Sequence, residues 1–246
     1  MVFQEYGTGN TDVIVLLHGG GLSWWNYREA AEQLQSDYHV ILPVLDGHGD
    51  SDRDFVSIEE NARELIDFLD RKFGGAVLLI GGVSLGAQIL LEMLSQRRNI
   101  CRYAVAESAL VLPSKLTHAM IKPAFGSCYG LIRQRWFAGL QAKYLKIPEN
   151  LFEDYYRDTC KITKQNMIAF LQANSLYFLK DTVADTSAQV SVFVGEKELR
   201  AMIRSAKAIQ AMLPGSFLHI LSGLHHGEFS LSGKAYANTI RKILKP

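Results

Sequence analysis

A serine in a glycine-flanked turn is the first candidate for chemistry in this sequence. Ser84 lies in the segment Gly82–Gly86, whose residues Gly-Val-Ser-Leu-Gly fit the pattern G-x-S-x-G. The apolar run Val77–Gly81 precedes it and a helical pattern begins near Ala87, which is the strand-turn-helix context that a nucleophilic serine of this kind requires. Glycines lack a Cβ atom, so they permit the tight turn that lifts the hydroxyl above the sheet edge. The pattern predicts a nucleophile rather than a capping serine in an ordinary turn.

Backbone N–H donors for a developing oxyanion are expected beside this serine. The segment His18–Gly21, with the residues His-Gly-Gly-Gly, follows the first strong apolar run, and such a loop can bring its amides close to a reacting carbonyl. We assign the two donors to the amides of Gly20 and Leu85, the latter at the N-terminus of the helix that follows the serine. A phosphate-binding loop is disfavoured because neither G-x-G-x-x-G nor Gly-Lys-Ser/Thr is present. His18 is interpreted as a structural residue that fixes the loop.

Together with later segments, these motifs resemble the α/β-hydrolase superfamily, in its capped, single-domain bacterial type of serine hydrolase or carboxylesterase. The further segments are Asp46–Ser51, with the residues Asp-Gly-His-Gly-Asp-Ser, and a late acid and histidine. The resemblance covers essentially the whole chain outside residues 110–180. It implies a serine-histidine-acid triad, and it assigns His48 to a structural loop with no catalytic step.

The resemblance also implies where the acid and the base stand, each after a late apolar run. The family commonly has Gly-x-x-Asp at the acid turn, and this chain has Gly195–Glu198, which places Glu198 at the acid position. A glutamate carboxylate can orient an imidazole as an aspartate does. The family's Gly-x-Gly-His turn is matched loosely by Gly223–His226, and this spacing selects His226 as the base.

Three other residues stay open for these two roles. His225 is adjacent to the selected histidine and is an alternative base. Glu107 follows the run Tyr103–Ala106, and some α/β hydrolases place their acid after the corresponding strand. Glu196 directly follows the glycine of the acid turn, two residues before the usual acid position.

Short apolar runs alternate with helical patterns along the chain, which predicts βαβ units and a mainly parallel sheet. The runs are Val13–Leu17, His39–Pro43, Val77–Gly81, Tyr103–Ala106, Val190–Val194 and Phe217–Leu221, and the helical patterns are Trp24–Gln35, Ile58–Phe73, Ala87–Gln96, Met202–Met212 and Tyr236–Leu244. Between residues 110 and 180 the spacing is helical without a convincing strand. We predict an α/β-hydrolase core of residues 1–109 and 181–246, flanked by helices, with a helical cap at residues 110–180 inserted in the core.

Composition and charge favour a small-molecule substrate. The chain has 246 residues, of which 48% are hydrophobic and 21% charged, as expected for a folded globular protein. A net charge of +1 gives no reason to expect a nucleic acid or a membrane as partner. The three cysteines form no C-x-x-C pair and the histidines lack zinc-site spacing, so no metal and no cofactor is expected. The first residues do not resemble a signal peptide, which predicts a cytoplasmic protein, and the oligomeric state is left open.

The predicted cap carries an uneven charge. Residues 110–180 contain ten Lys or Arg residues and four Asp or Glu residues, a net charge of +6, so the remainder of the chain carries −5. A positive cap is compatible with an acidic substrate. It is also what a solvated helical surface on an acidic core looks like, and this second interpretation is favoured.

The expected reaction is acyl transfer to water through an acyl-enzyme on Ser84, with a small carboxylic ester or thioester as substrate. The same fold and residues also serve C–C bond hydrolases, lyases and cofactor-free peroxidases, so these reactions are alternatives. A non-enzymatic ligand receptor is a further alternative. The sequence specifies neither the acyl group nor the alcohol.

Overall fold

Seven strands form a single sheet in this computed structural model, which describes residues 2–245. They are β1 (Phe3–Tyr6), β2 (Val13–Leu17), β3 (His39–Pro43), β4 (Val77–Val83), β5 (Cys101–Glu107), β6 (Gln189–Gly195) and β7 (Phe217–Leu221). Their spatial order is β1-β3-β2-β4-β5-β6-β7, with β1 antiparallel to β3 and the other neighbours parallel. The mainly parallel sheet predicted from the sequence is confirmed.

Helices cover both faces of this sheet. They are α1 (Arg28–Leu34), α2 (Ile58–Phe73), α3 (Leu85–Gln96), α4 (Lys115–Cys128), α5 (Arg135–Tyr144), α6 (Phe152–Lys161), α7 (Lys164–Leu176), α8 (Arg200–Met212), α9 (Glu228–Leu231) and α10 (Gly233–Leu244). The apolar sides of α2, α3 and α8 share one core cluster, and those of α1 and α10 share a second cluster on the opposite face. The central strands are therefore buried from both sides, which explains their continuous apolar sequences.

The first strand is the one that sequence analysis did not predict. β1 lies at the edge of the sheet and contains Gln4 and Glu5, so it shows no continuous apolar run. An edge strand is covered less completely than a central one, so it need not be apolar throughout. The position of β1 in the sheet follows from its tertiary pairing with β3 and not from a local pattern. The predicted helix at Trp24–Gln35 also differs in detail, since it begins as a 3₁₀ turn at Trp24–Tyr27 before α1.

The segment at residues 110–180, called the insert below, leaves the sheet after β5 and returns at β6 through helices α4 to α7. Buried polar contacts hold it on the sheet layer. The Trp25 indole N–H donates to Asp158 Oδ2 at 3.0 Å. Asn174 Nδ2 donates to Gln88 Oε1 at 2.8 Å, and Gln88 Nε2 donates to the Asn174 carbonyl at 3.0 Å. The division of the chain into a core and a cap stays a prediction.

The contact between α3 and the end of β2 leaves no room for a side chain at Gly86, where a Cβ atom would overlap the Leu17 carbonyl. We expect Gly86→Ala to lower the free energy of unfolding by about 1–3 kcal/mol, as overpacking of a close contact does. Gly126→Ala in α4 is the matched control, because open space surrounds that position and alanine favours a helix by about 1 kcal/mol. Thermal unfolding monitored by circular dichroism measures both variants. Equal melting temperatures for the two would contradict the close approach.

Candidate active site

Ser84 occupies a strained turn between β4 and α3. Its backbone angles are φ 54° and ψ −114°, in a region that a non-glycine residue rarely adopts. The Ser84 N–H donates to the Glu107 carbonyl at 2.9 Å, and the Ser84 carbonyl accepts from Gln88 N–H at 3.0 Å. A Cβ on Gly82 would overlap the Gly86 backbone, so the turn requires glycine there. These contacts hold the serine at the carboxyl edge of the sheet, as the sequence pattern predicted.

A continuous chain of hydrogen bonds leads from this serine to a buried carboxylate. His226 Nε2 lies 3.0 Å from Ser84 Oγ, and His226 Nδ1 lies 2.8 Å from Glu198 Oε2. With Nδ1–H donated to the carboxylate, the free electron pair of Nε2 faces the serine hydroxyl. The structure therefore brings together the three side chains that the sequence selected.

The carboxylate of Glu198 is fixed by two further donors. Its Oε1 accepts from Ser108 Oγ at 2.7 Å and from the Gly195 N–H at 2.7 Å. Ser108 was not predicted from the sequence. It follows β5 with a φ of 54°, and nothing in the residue pattern at that position indicates this backbone conformation.

These contacts decide the charge of Glu198. Burial alone would raise the pKa of this carboxyl, but the hydrogen bonds that it accepts, the one from His226 first among them, together outweigh that effect. Ser108 and Gly195 are the other donors that lower the pKa. The pKa of Glu198 therefore lies below its ordinary value, and the carboxylate is ionised at neutral pH.

His225 and Glu196, the alternatives to His226 and Glu198, make their hydrogen bonds away from Ser84. His225 Nδ1 contacts Glu228 Oε2 at 3.1 Å, and the same oxygen accepts from the His225 N–H at 2.9 Å. Glu196 Oε2 accepts from Ser222 Oγ at 3.0 Å and from the Gly223 N–H at 2.8 Å, so it fixes the turn after β7. The structure brings neither residue to the serine.

The predicted oxyanion donors are available at the same edge. Among residues 2–245, neither the Gly20 N–H nor the Leu85 N–H donates to a protein acceptor. Phe170 of α7 covers the glycine loop so closely that a Cβ on Gly20 would lie 3.2 Å from its ring. Both amides are therefore free to bind an oxygen of a ligand.

His18 holds the glycine loop in place. Its Nδ1 lies 2.9 Å from the Gly19 carbonyl, and its Nε2 accepts from the Leu45 N–H at 3.0 Å. Burial, with a smaller effect of the nearby His48 ring, lowers the pKa of His18 to about 3. The imidazole is therefore neutral at physiological pH, and it joins the loop after β2 to the loop after β3.

A cavity of about 70 Å³ opens beside the serine hydroxyl. Its apolar wall consists of Leu22, Val83, Leu145, Ile147 and Leu231. None of the described residues that line it is a lysine, an arginine or a carboxylate. The basic side chains of the insert thus lie outside this cavity. This placement gives no support to recognition of an acidic substrate in the cavity and favours the alternative, that the charge of the insert belongs to a solvated surface.

Comparison with known proteins identifies the family. Residues 14–238 match the Alpha/beta hydrolase family. The chain belongs to that family. Its structure is similar to an esterase from Exiguobacterium antarcticum, with a TM-score of 0.82 and 15% identity over 99% of this chain and 95% of that chain. It is also similar to a thermophilic esterase from Thermogutta terrifontis, with a TM-score of 0.78 and 18% identity over 99% of this chain and 92% of that chain.

A further similarity is at the level of sequence. Lipase 1 of Psychrobacter immobilis is 33% identical over 93 residues, which are 36% of this chain and 29% of that protein. The match thus spans less than a third of the length of the lipase. The structural similarities lie below 25% identity and concern the fold.

Outside the hydrogen-bonded chain at Ser84, the described residues of this α/β hydrolase form neither a group of metal ligands nor a membrane-spanning helix. Among the described residues, no group of three or more His, Cys, Asp or Glu side chains is placed to hold a metal ion. In the same part of the chain, no helix is both long and apolar enough to cross a bilayer. The cysteines Cys101, Cys128 and Cys160 are unpaired; Cys101 is buried, Cys160 is half-buried and Cys128 is exposed.

Glu107, an alternative acid in the sequence, is buried beneath the site of this α/β hydrolase. Its Oε1 accepts from the Ser230 N–H at 3.3 Å, and its carboxyl makes no hydrogen bond to His226. Burial, with a smaller effect of the Glu198 charge, raises the pKa of Glu107 to about 8. This carboxyl is therefore protonated at neutral pH, which does not suit the orientation of an imidazolium.

We predict that Glu107→Gln flattens the pH dependence of stability. Because the folded pKa of about 8 lies above the ordinary value of 4.5, the native state binds one more proton than the unfolded state between these values. Stability therefore falls as the pH rises through this window, and a neutral amide removes that loss. Melting temperatures across the window measure the slope.

Glu196→Gln is the control, since hydrogen bonds from Gly223 and Ser222 lower the pKa of Glu196. It should leave the slope between pH 4.5 and 8 unchanged. An unaltered slope in Glu107→Gln would show that this carboxyl is ionised in the folded protein.

Proposed function

We propose that this α/β hydrolase is a serine esterase that cleaves a small carboxylic ester or thioester through an acyl-enzyme on Ser84. The observation that carries the proposal is the hydrogen-bonded order of Ser84, His226 and Glu198, at 3.0 and 2.8 Å. A hydroxyl next to an imidazole whose other nitrogen is oriented by a carboxylate is the arrangement that activates a serine. The esterase and lipase names of similar proteins support an ester as the substrate.

In the first half of the reaction, Ser84 Oγ attacks the ester carbonyl while His226 Nε2 takes its proton. The carbonyl oxygen becomes negatively charged, and the N–H groups of Gly20 and Leu85 bind it. Each such donor contributes about 10²–10³-fold in rate when it faces the oxyanion. His226 then gives its proton to the leaving alkoxide, and the acyl group stays on the serine.

In the second half, water replaces the alcohol. His226 Nε2 takes a proton from the water as the water oxygen attacks the acyl carbon, and the same two amides bind the second oxyanion. The proton then returns to Ser84 Oγ as the carboxylic acid leaves. Throughout, the Glu198 carboxylate accepts from Nδ1–H, which keeps the base nitrogen facing the serine and stabilises the imidazolium.

Reactions of other classes use the same fold and residues, so activity assays must separate them. A dedicated C–C hydrolase, lyase or peroxidase should turn over short p-nitrophenyl esters poorly. A ligand receptor should not react with a fluorophosphonate at Ser84. No specific contact in the structure favours any of these alternatives over ester hydrolysis.

We predict that Ser84→Ala removes ester hydrolysis and fluorophosphonate labelling while the protein stays folded. His226→Ala should lower kcat nearly as much, by about four orders of magnitude or more, because the members of a triad act as a unit. Glu198→Gln should lower kcat by up to about 10⁴-fold, since an amide favours the wrong imidazole tautomer. Steady-state kinetics with p-nitrophenyl acetate measures all three.

His225→Ala and Glu107→Gln are the matched controls, each next to or below the site but outside the hydrogen-bonded chain. Both should retain most of kcat. A larger loss of kcat on substitution of His225 than of His226 would assign the role of base to His225. A larger loss on substitution of Glu107 than of Glu198 would assign the role of acid to Glu107. Full activity in Ser84→Ala would remove the proposal.

The cavity size predicts a preference for short acyl groups. A volume of about 70 Å³ is well below the roughly 300–1,000 Å³ of typical small-molecule sites. We expect kcat/KM to be highest for acetyl to butyryl esters and to fall for longer chains. Leu145→Ala, which removes part of the cavity wall, should shift the preference to longer chains, whereas Leu176→Ala outside the wall should not. Efficient hydrolysis of long-chain triglyceride emulsions by the unaltered protein would contradict this restriction.

A further inference from the structure

The first half of the insert carries charge of one sign. Residues 110–148 contain six Lys or Arg residues and no Asp or Glu. All six are exposed: Lys115, Lys122, Arg133, Arg135, Lys143 and Lys146. Within the part of the chain that the structure describes, only Arg135 forms an ion pair with a carboxylate, that of Glu153. Five cations of this segment thus face solvent without an ion pair.

The same segment exposes large apolar side chains. Of the twelve that are exposed between residues 2 and 245, six belong to it: Leu116, Met120, Leu131, Trp136, Leu140 and Tyr144. Single exposed hydrophobic residues are common on protein surfaces, whereas a concentration of them marks a site of interaction. The concentration here occurs in a segment of 39 residues from Leu110 to Pro148.

Helix α5 presents these residues as a stripe. Trp136, Leu140 and Tyr144 are spaced by four residues, so they lie on one face, and they are 63%, 60% and 81% exposed. The opposite face of the helix already packs into the protein through Ala138 and Ala142. The outward stripe is therefore not needed for the attachment of α5.

Helix α4 adds a second apolar patch. Leu116 and Met120 are one helical turn apart and border an open groove of about 360 Å³, together with Ile121 and Phe125. Helices α4 and α5 are joined by the 3₁₀ turn Tyr129–Arg133, which contacts both. The exposed apolar and basic residues of the segment 110–148 are called the docking face below.

A second copy of this chain does not suit the docking face. In a two-fold dimer each partner contributes the same patch, so the five unpaired cations of one copy would meet the same five of the other. Like charges across an interface oppose association. A partner for this face must supply negative charge and accept aromatic and aliphatic side chains.

We infer that the docking face binds the surface of a bilayer that contains anionic lipid. Trp and Tyr side chains insert at the level of the lipid headgroups, and Lys and Arg side chains interact with lipid phosphates. In α5 the basic Lys143 lies three residues after Leu140, on the same side of the helix, and Arg133 ends the 3₁₀ turn just before α5. Basic and apolar groups thus reach one surface together, as in other peripheral membrane contacts.

This contact would bring the candidate active site close to the lipid. Tyr144 is followed directly by Leu145, and Leu145 and Ile147 line the cavity beside Ser84. The inference does not rest on the proposed esterase activity. It departs from the sequence-based expectation of no membrane partner, which used the net charge of +1 and so averaged the basic insert with the acidic remainder.

Vesicle binding tests the inference with a reporter inside the docking face. Of the three tryptophans, Trp25 is buried, Trp24 is half-buried and Trp136 is exposed. We expect the protein to sediment with vesicles of phosphatidylglycerol and phosphatidylcholine at low ionic strength but not with pure phosphatidylcholine vesicles. Binding should weaken as added salt screens the charges. On binding to vesicles, tryptophan emission should shift to the blue in the protein that contains Trp136 but not in a variant that lacks Trp136.

Four double variants, compared two by two, separate the docking face from the rest of the surface. Lys122→Glu with Lys143→Glu should lower the vesicle partition coefficient about tenfold or more, whereas Lys207→Glu with Lys234→Glu, which changes the net charge equally, should have a smaller effect. Leu140→Ser with Tyr144→Ser should also weaken binding. Val56→Ser with Phe217→Ser, which removes exposed apolar side chains elsewhere, should not.

Melting temperatures confirm that each variant is folded before binding is compared. Equal effects of the docking-face and control pairs would overturn the inference, as would equal sedimentation with both kinds of vesicle. Absence of binding to anionic vesicles at low salt would leave an acidic protein as the partner instead. A lipid-free dimer that Leu140→Ser with Tyr144→Ser dissociates would assign the face to a second copy.

Discussion

The buried carboxylate of Glu198 is the group on which the candidate site depends. An ionised carboxylate is costly to bury unless donors surround it, and here Ser108, Gly195 and His226 supply three. The same donors fix its two oxygens, so the imidazole has one favourable orientation. The position of His226 Nε2 against Ser84 Oγ thus follows from how this one carboxylate is satisfied.

The parallel sheet makes that arrangement possible. Val83 pairs with Glu107, Glu107 with Phe193, and Gly195 with Leu221, so the carboxyl ends of β4 to β7 lie side by side. The turns after these four strands therefore bring Ser84, Ser108, Glu198 and His226 to one edge. Ligand sites in open α/β sheets occur at this edge for the same reason.

Local spacing predicted the turn around Ser84, and resemblance to the family's turns selected the candidate acid and base. The glycines around Ser84, the interval from Gly195 to Glu198 and the position of His226 are each determined within a few residues. The role of Ser108 could not be predicted, because its contact joins residues 90 positions apart and depends on a positive φ at a non-glycine residue. Protonation of Glu107 likewise follows from burial by distant segments.

The exposed apolar stripe of the insert likewise could not be predicted from local sequence. The helical character of the insert follows from the spacing of its residues and its charge from composition, whereas the direction of the α5 side chains depends on how this helix packs through Ala138 and Ala142. Periodicity alone does not tell a buried apolar stripe from an exposed one.

Trapping the acyl group on the protein tests most directly whether Ser84 is the nucleophile. A p-nitrophenyl dimethylcarbamate forms a carbamoyl-serine that water removes slowly, so peptide mass spectrometry can locate the adduct. We predict that each chain releases one p-nitrophenol, that the peptide containing Ser84 carries a carbamoyl group, and that ester hydrolysis is lost in parallel. A carbamoyl group on another residue, or undiminished ester hydrolysis by the carbamoylated protein, would contradict it.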